Sequence, residues 1–171
     1  MKLFISREKI KNRVTDLAKE ISEYYKDKDN FLILGVLKGS FMFLSDLVKE
    51  IDIDNMQIEF ISISSYEGIK SGKIKGEQID GKIFHNKHVL IVEDIVDTGK
   101  TMSYLLKEVN KGNSASMEIV SFLFKPEYYK LDYSVRWKGF DIHDEFVVGY
   151  GLDYKEQFRN LKDLYIFNEK E

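Results

Sequence analysis

The densest concentration of potential chemistry in the chain is the stretch VLIVEDIVDTGKT, Val89 to Thr101. An apolar run delivers Glu93 and Asp94 at its carboxyl end, Asp97 follows in a short loop, and Thr98, Gly99, Lys100 and Thr101 open a helix. Small and basic residues at a helix N-terminus suit an anion: backbone N–H groups there lack intrahelical partners, the helix dipole is positive, and glycine permits close approach. Two neighbouring carboxylates can accept hydrogen bonds from a vicinal diol. Phosphate site and diol site together describe a ribose phosphate. The plainer alternative is that Asp97 or Thr98 caps the helix while Glu93 and Asp94 are solvated loop acids.

Two better-known nucleotide motifs do not fit. A triphosphate P-loop needs a glycine five positions before its Gly-Lys step, where this chain has Asp94, and a carboxylate there would repel a triphosphate. No GxGxxG dinucleotide fingerprint occurs.

The elements that must position these residues alternate between helical and strand patterns. Ile10, Val14, Leu17, Ala18 and Ile21 recur at helical spacing behind Ser6, which predicts an amphipathic helix over about 6–26. FLILGVL at 31–37 reads as a strand covered on both faces. Ser40 is a candidate cap for a second helix with Phe41, Leu44, Leu47, Val48 and Ile51 on one face, and Ile58, Phe60, Ile61 and Ile63 supply a strand. The polar, glycine-containing stretch from Ser64 to about Gly81 reads as a long loop. HVLIV at 88–92 is a buried strand, Met102, Leu105, Leu106 and Val109 share a helical face up to Lys111, and Gly112 with Asn113 forms a stop. Met117 to Phe124 is a further strand, ended by Lys125 and the sole proline, Pro126; FVVG at 146–149 and LYIF at 164–167 are the last candidates. Strands alternating with helices predict an α/β fold, a mainly parallel central sheet flanked by helices, with its ligand site at the carboxyl ends of the strands.

Composition narrows the function classes. A chain of 171 residues, 43% hydrophobic and 32% charged, fits one domain spanning 1–171 with a sizeable core. The net charge of −3 offers no electrostatic footprint for nucleic acid. Zero cysteines exclude a disulfide framework, a thiol nucleophile and a Cys-ligated zinc site, and the N-terminal apolar run before Arg7 is too short for a signal peptide. No apolar run approaches a membrane span, so a cytoplasmic protein with neither membrane nor nucleic-acid partners is expected. His85, His88 and His143 show no metal-ligand spacing and are assigned no role.

VLIVEDIVDTGKT resembles the ribose-phosphate motif of the type I phosphoribosyltransferases, and in detail that of the hypoxanthine-guanine phosphoribosyltransferases. Four further segments agree in order: GVLKGSFMF at 35–43 is similar to the family's pyrophosphate loop, ISSYEG at 63–68 to the start of its mobile loop, FKPEYY at 124–129 to its base-recognition strand end, and FVVGYGLDYKEQFRNL at 146–161 to its C-terminal signature. The resemblance implies a small hood formed by chain-terminal segments above the sheet. It implies a salvage enzyme that transfers a phosphoribosyl group from 5-phosphoribosyl-1-pyrophosphate to hypoxanthine and guanine, releasing IMP or GMP and pyrophosphate. Its residue roles would place Glu93 and Asp94 on the ribose hydroxyls, Thr98, Gly99, Lys100 and Thr101 on the 5′-phosphate, and Asp97 as the general acid or base at the purine imidazole nitrogen.

By the same resemblance, Lys125 donates to the 6-oxo group of the base, which would exclude adenine. Phe146 stacks on the base and Val147 meets its edge through the backbone, although an aromatic that begins an apolar strand also suits a core. Lys38, Gly39 and Arg159 contact pyrophosphate, and Ser65 and Tyr66 belong to a loop that closes over the reacting centre. Mg²⁺ is the implied cofactor, with Asp153 as its ligand and Glu93 and Asp94 as the further carboxylates toward it. Relatives form homodimers or homotetramers. Two departures stand out: Tyr128 and Tyr129 occupy positions where relatives commonly carry arginines, and Phe124 stands where many bacterial members have Asp. A regulatory module that binds the donor without turnover, and a pyrimidine or adenine transferase, are the competing readings; Lys125 and FVVG speak against both.

Overall fold

The run FLILGVL divides by alternation between the two faces of a sheet. Phe31 and Ile33 are buried in one hydrophobic cluster, and Leu32, Leu34 and Val36 in another. The computed structural model describes residues 1–64, 75–76 and 80–168, so Ser65 and Tyr66 of the expected closing loop lie outside the described residues. The strands are β1 (Lys2–Ile5), β2 (Phe31–Leu37), β3 (Gln57–Ser64), β4 (Lys75–Gly76), β5 (His88–Val96), β6 (Ser116–Phe124), β7 (Trp137–Asp141), β8 (Val147–Val148) and β9 (Leu164–Ile166); the helices are α1 (Arg7–Tyr25), α2 (Phe41–Glu50) and α3 (Lys100–Lys111).

The central sheet runs in the order β4-β3-β2-β5-β6-β7. Its five strands from β3 to β7 are parallel neighbours, and β4 joins the β3 edge antiparallel. One face packs against α1 and α2 through Phe31, Ile33, Leu90, Val92, Val120 and Phe122. The other packs against α3 through Leu34, Val89, Ile91 and Ile119, with Leu105 and Val109 from the helix. A second, antiparallel sheet of order β1-β9-β8 pairs Lys2 with Ile166 and Val147 with Ile166, and forms the hood. The α/β class and the hood are as anticipated.

Several boundaries differ from the sequence reading. The strand expected over 88–92 continues to Val96, so Glu93 and Asp94 stand inside it rather than in a loop. Continuation is stabilised by β6, where the buried Ser121 Oγ accepts from Val96 N at 3.2 Å. Ser40 precedes α2, but its hydroxyl donates to Val36 O at 2.5 Å instead of capping the helix. The buried face of α2 is Phe43, Leu44 and Leu47, whereas Phe41 is 37% exposed; on β3, Ile58 and Phe60 are also exposed and only Ile61 is fully buried. β1, β4 and β7 were not anticipated; β4 lies within the stretch from Ser64 to about Gly81 expected to be a loop. β7 is an edge strand held by its register with β6, Val120 to Trp137, and by the Arg13 guanidinium, which donates to the carbonyls of Lys138 at 2.7 Å and Gly139 at 3.2 Å.

Candidate active site

The carboxyl ends of β2, β3 and β5 open into a cleft of about 610 Å³ lined by Lys38, Gly39, Glu93, Asp94, Thr101, Asp153, Glu156 and Arg159, among others. Sequence-distant segments therefore meet where a parallel sheet places its ligands. Asp94 and Gly39 are interlocked: a Cβ built on Gly39 would fall 1.5 Å from Asp94 Oδ2. The Leu37–Lys38 peptide at this turn is cis.

Glu93 is only 6% exposed, and its Oε2 is buried without a hydrogen-bond partner among the described residues. Burial, then the neighbouring Asp94 charge, pushes the Glu93 carboxyl well above the usual carboxylate range. Burial also raises Asp94, partly offset by the Ile95 N–H that its Oδ1 accepts at 2.6 Å. The reading of these acids as solvated loop residues is thereby corrected. An orphaned, desolvated carboxyl beside a second one is built to receive hydroxyl donors from a ligand.

Past Asp97, which is exposed, the chain turns through Gly99 at φ +85° into α3. Gly99 is the N-cap residue and no side chain caps the helix, so the capping alternative for Asp97 or Thr98 does not hold. The first-turn N–H groups of Lys100, Thr101 and Met102 precede the first intrahelical bond, Ser103 N to Gly99 O at 2.8 Å, and have no partner among the described residues, which leaves them available to an anion. The turn is supported from beneath: a Cβ on Gly99 would meet Leu131 Cβ and the Tyr129 ring at 2.9 Å. Tyr129 packs edge-on to Phe124 and donates its hydroxyl to Tyr133 O. Tyr129 thus props the turn at Gly99.

Lys125 is half-buried at the end of β6, and its N–H donates to Val96 O at 2.9 Å, which sets it beside Asp97 at the adjoining strand end. Phe146 is 52% exposed, with Tyr154 and Phe167 meeting its ring at 5.9 and 6.1 Å. A core role for this ring is ruled out. The Val147 side chain is buried, leaving only its backbone to face a ligand. Trp137 and Tyr150 pack in the core; Tyr150 also donates to Asp46 Oδ2 at 2.8 Å.

At the far side of the cleft Arg159 donates to Gly151 O at 2.8 Å and pairs with Asp153 at 2.7 Å. Glu156, which sequence reasoning missed, pairs with Lys38 at 3.1 Å and with Arg159 at 3.4 Å. The acid three residues before Arg159 was its only local signal. Among the described residues no group of three or more His, Asp or Glu side chains gathers to hold a metal. A Mg²⁺ brought in by substrate would need only one protein carboxylate here, Asp153, and would draw the rest of its shell from substrate oxygens and water.

No helix among the described residues is long and apolar enough to cross a membrane. Residues 6–155 match the phosphoribosyl transferase domain family. The chain is 41% identical over 163 residues to a hypoxanthine-guanine phosphoribosyltransferase of Dictyostelium discoideum, covering 93% of this chain and 91% of the relative. It is 40% identical over 163 residues to that of Bacillus subtilis, with 94% and 89% covered. A crystal structure of a hypoxanthine phosphoribosyltransferase from Staphylococcus aureus superposes with a TM-score of 0.89 at 36% identity, covering 98% of this chain and 91% of that one. Shared sequence along nearly the whole length and a shared backbone lead to one conclusion: this chain is a transferase that belongs to the hypoxanthine-guanine phosphoribosyltransferase family.

Proposed function

We propose that the chain joins a 6-oxopurine, hypoxanthine or guanine, to the ribosyl carbon of 5-phosphoribosyl-1-pyrophosphate. The observation that carries this reading is the hydrogen bond from Lys125 N to Val96 O, which holds a 6-oxo donor and a proton acceptor, Asp97, at neighbouring strand ends. The donor's 5′-phosphate sits on the free N–H groups of α3, and its diol on Glu93 and Asp94. Lys38 and Arg159 line the same cleft and would contact the donor's pyrophosphate. The base nitrogen bonds to C1′ as the C1′–oxygen bond breaks, its electron pair leaving with pyrophosphate; Asp97 accepts the proton released from the base. Lys38 and Arg159 stabilise the charge that develops on the leaving group. Mg²⁺, held at Asp153, would supply further neutralisation of the pyrophosphate when bound.

Lys125 presents only donors, so it favours a 6-oxo group and disfavours the 6-amino group of adenine. Phe146 offers its exposed ring as a stacking platform. We place the reaction in the cytoplasm, which suits a cysteine-free chain. A homodimer or homotetramer is supported by Phe41 on α2 and Ile58 and Phe60 on β3, three exposed large apolar side chains.

The test is nucleotide formation from hypoxanthine, guanine, xanthine and adenine in parallel, with the donor, with and without Mg²⁺. Turnover of 6-oxopurines and not adenine is expected, with kcat in Asp97→Asn reduced roughly 10²- to 10⁴-fold at nearly unchanged donor KM. Absence of turnover in protein that still binds the donor would leave a regulatory binding module instead.

A further inference from the structure

The two cations that would contact pyrophosphate in the cleft are not waiting unpaired. Glu156 Oε2 is 3.1 Å from Lys38 Nζ and its Oε1 is 3.4 Å from Arg159 Nη2, so one carboxylate spans both. No other carboxylate among the described residues pairs with Lys38. The turn that presents Glu156 is built for that position. Lys155, Glu156 and Phe158 all take left-handed backbone conformations, at φ of +50°, +63° and +73°, which L side chains adopt at a cost. That conformation is held by Glu156 N donating to Asp153 Oδ2 at 2.8 Å and by the reciprocal bonds between Tyr154 and Gln157 at 3.2 and 3.0 Å. Lys38 first, and then the Arg159 charge, keep the Glu156 carboxyl below its ordinary range.

We propose that Glu156 is a positioning residue that occupies Lys38 and Arg159 as a surrogate anion in the free enzyme, yields them to pyrophosphate, and returns to speed its release. The proposal rests on the transferase reading above. Arg159 also pairs with Asp153 at 2.7 Å, but only Glu156 reaches Lys38 as well, so this tethered carboxylate is the anion that joins the two cations without being lost to solvent. The pair is largely exposed, with side chains 66% and 65% accessible, so the contact is easily exchanged for a stronger doubly charged ligand. Its presence lowers pyrophosphate affinity by the advantage of the contacts it makes, and so raises the rate of dissociation.

The experiment is calorimetric titration of Mg²⁺-pyrophosphate into the wild-type chain, Glu156→Gln and Glu156→Asp, with steady-state kinetics on the same preparations. Glu156→Gln is expected to bind pyrophosphate about fivefold more tightly, from loss of two exposed ion pairs. Its donor KM falls, its kcat falls where product release limits turnover, and its base KM is unchanged; a purely structural lesion would not split the parameters this way. Glu156→Asp keeps the charge but shortens the reach, and is expected to resemble Glu156→Gln. Wild-type affinity in Glu156→Asp alongside tightening in Glu156→Gln would assign the effect to net charge and overturn the contact. Unchanged affinity in Glu156→Gln, with the wild type forming nucleotide, overturns the Glu156 proposal alone. A wild type that neither binds pyrophosphate nor forms nucleotide overturns the transferase reading and this proposal together.

Discussion

Gly39→Ala tests whether the pyrophosphate loop and the diol acids work as one rigid unit. The added Cβ would lie 1.5 Å from Asp94 Oδ2, 2.6 Å from Cγ and 3.3 Å from Asp94 Cβ. Ordinary contact needs about 3.5 Å or more, so roughly 2 Å must be made up by turning the Asp94 carboxylate or shifting the loop. Turning it breaks the bond its Oδ1 accepts from Ile95 N at 2.6 Å. Overpacking of this kind costs about 1–3 kcal/mol in stability. A displaced Asp94 also forfeits a charge-assisted hydrogen bond to the ribose worth about 1.5–3 kcal/mol, which is roughly a ten- to 150-fold loss in kcat/KM for the donor. The assay is steady-state kinetics against donor concentration with a thermal melt on the same sample. Gly112→Ala is the control, because its Cβ would meet Gly81 O at 2.3 Å, with Phe84 beyond and no cleft residue nearby. It is expected to destabilise without changing donor KM. The reasoning fails if Gly39→Ala keeps donor kcat/KM within about twofold of wild type, or merely reproduces the pattern of Gly112→Ala.

Two further outcomes follow from the site. Glu93→Gln removes a carboxyl whose raised proton affinity in the fold makes stability fall as pH climbs from the ordinary value of 4.5 toward the raised one, with no further change above it. The variant should therefore melt higher than wild type at about pH 8, by about 1–3 kcal/mol, with the gap closing at about pH 5, while its donor kcat/KM drops; a gap of constant size across that range would show that burial of this charge is not the cause. Lys125→Met should raise hypoxanthine KM about ten- to 100-fold and leave donor KM alone, and an equal rise in both would place Lys125 outside the base subsite.

The parts of the fold legible in the sequence are those whose pattern is local. FLILGVL announces burial on both faces because alternate residues meet opposite helices, and the helical spacing from Ile10 to Ile21 recurs in the buried face of α1. Glu93, Asp94, Asp97 and the turn at Gly99 lie within one stretch, so their grouping needed no tertiary information. What escaped depends on partners far along the chain. KLFI at 2–5 is too short to declare itself and becomes a strand only through β9. WKGFD has a glycine at its centre, and its extended form comes from β6 and Arg13. Glu156 gains its role from Lys38, across 118 residues. Phe41 looked like a core position by spacing, yet the helix turns Phe43 inward instead.

The hood has a consequence for how the enzyme comes into being. Its middle strand is β9, which pairs Leu164 with Ile5 on one side and Ile166 with Val147 on the other. Phe146 in turn accepts a hydrogen bond from Phe167 N at 2.9 Å. During synthesis the phosphate turn, Asp97 and Lys125 can all assemble before β9 exists, whereas the stacking platform cannot be fixed until those residues leave the ribosome. Closing β1 onto β9 then means closing a loop of nearly the entire chain, the slowest kind of contact to find. The nascent chain should accordingly assemble the turn at Gly99 with Glu93 and Asp94 first, and Arg159 together with the Phe146 platform last.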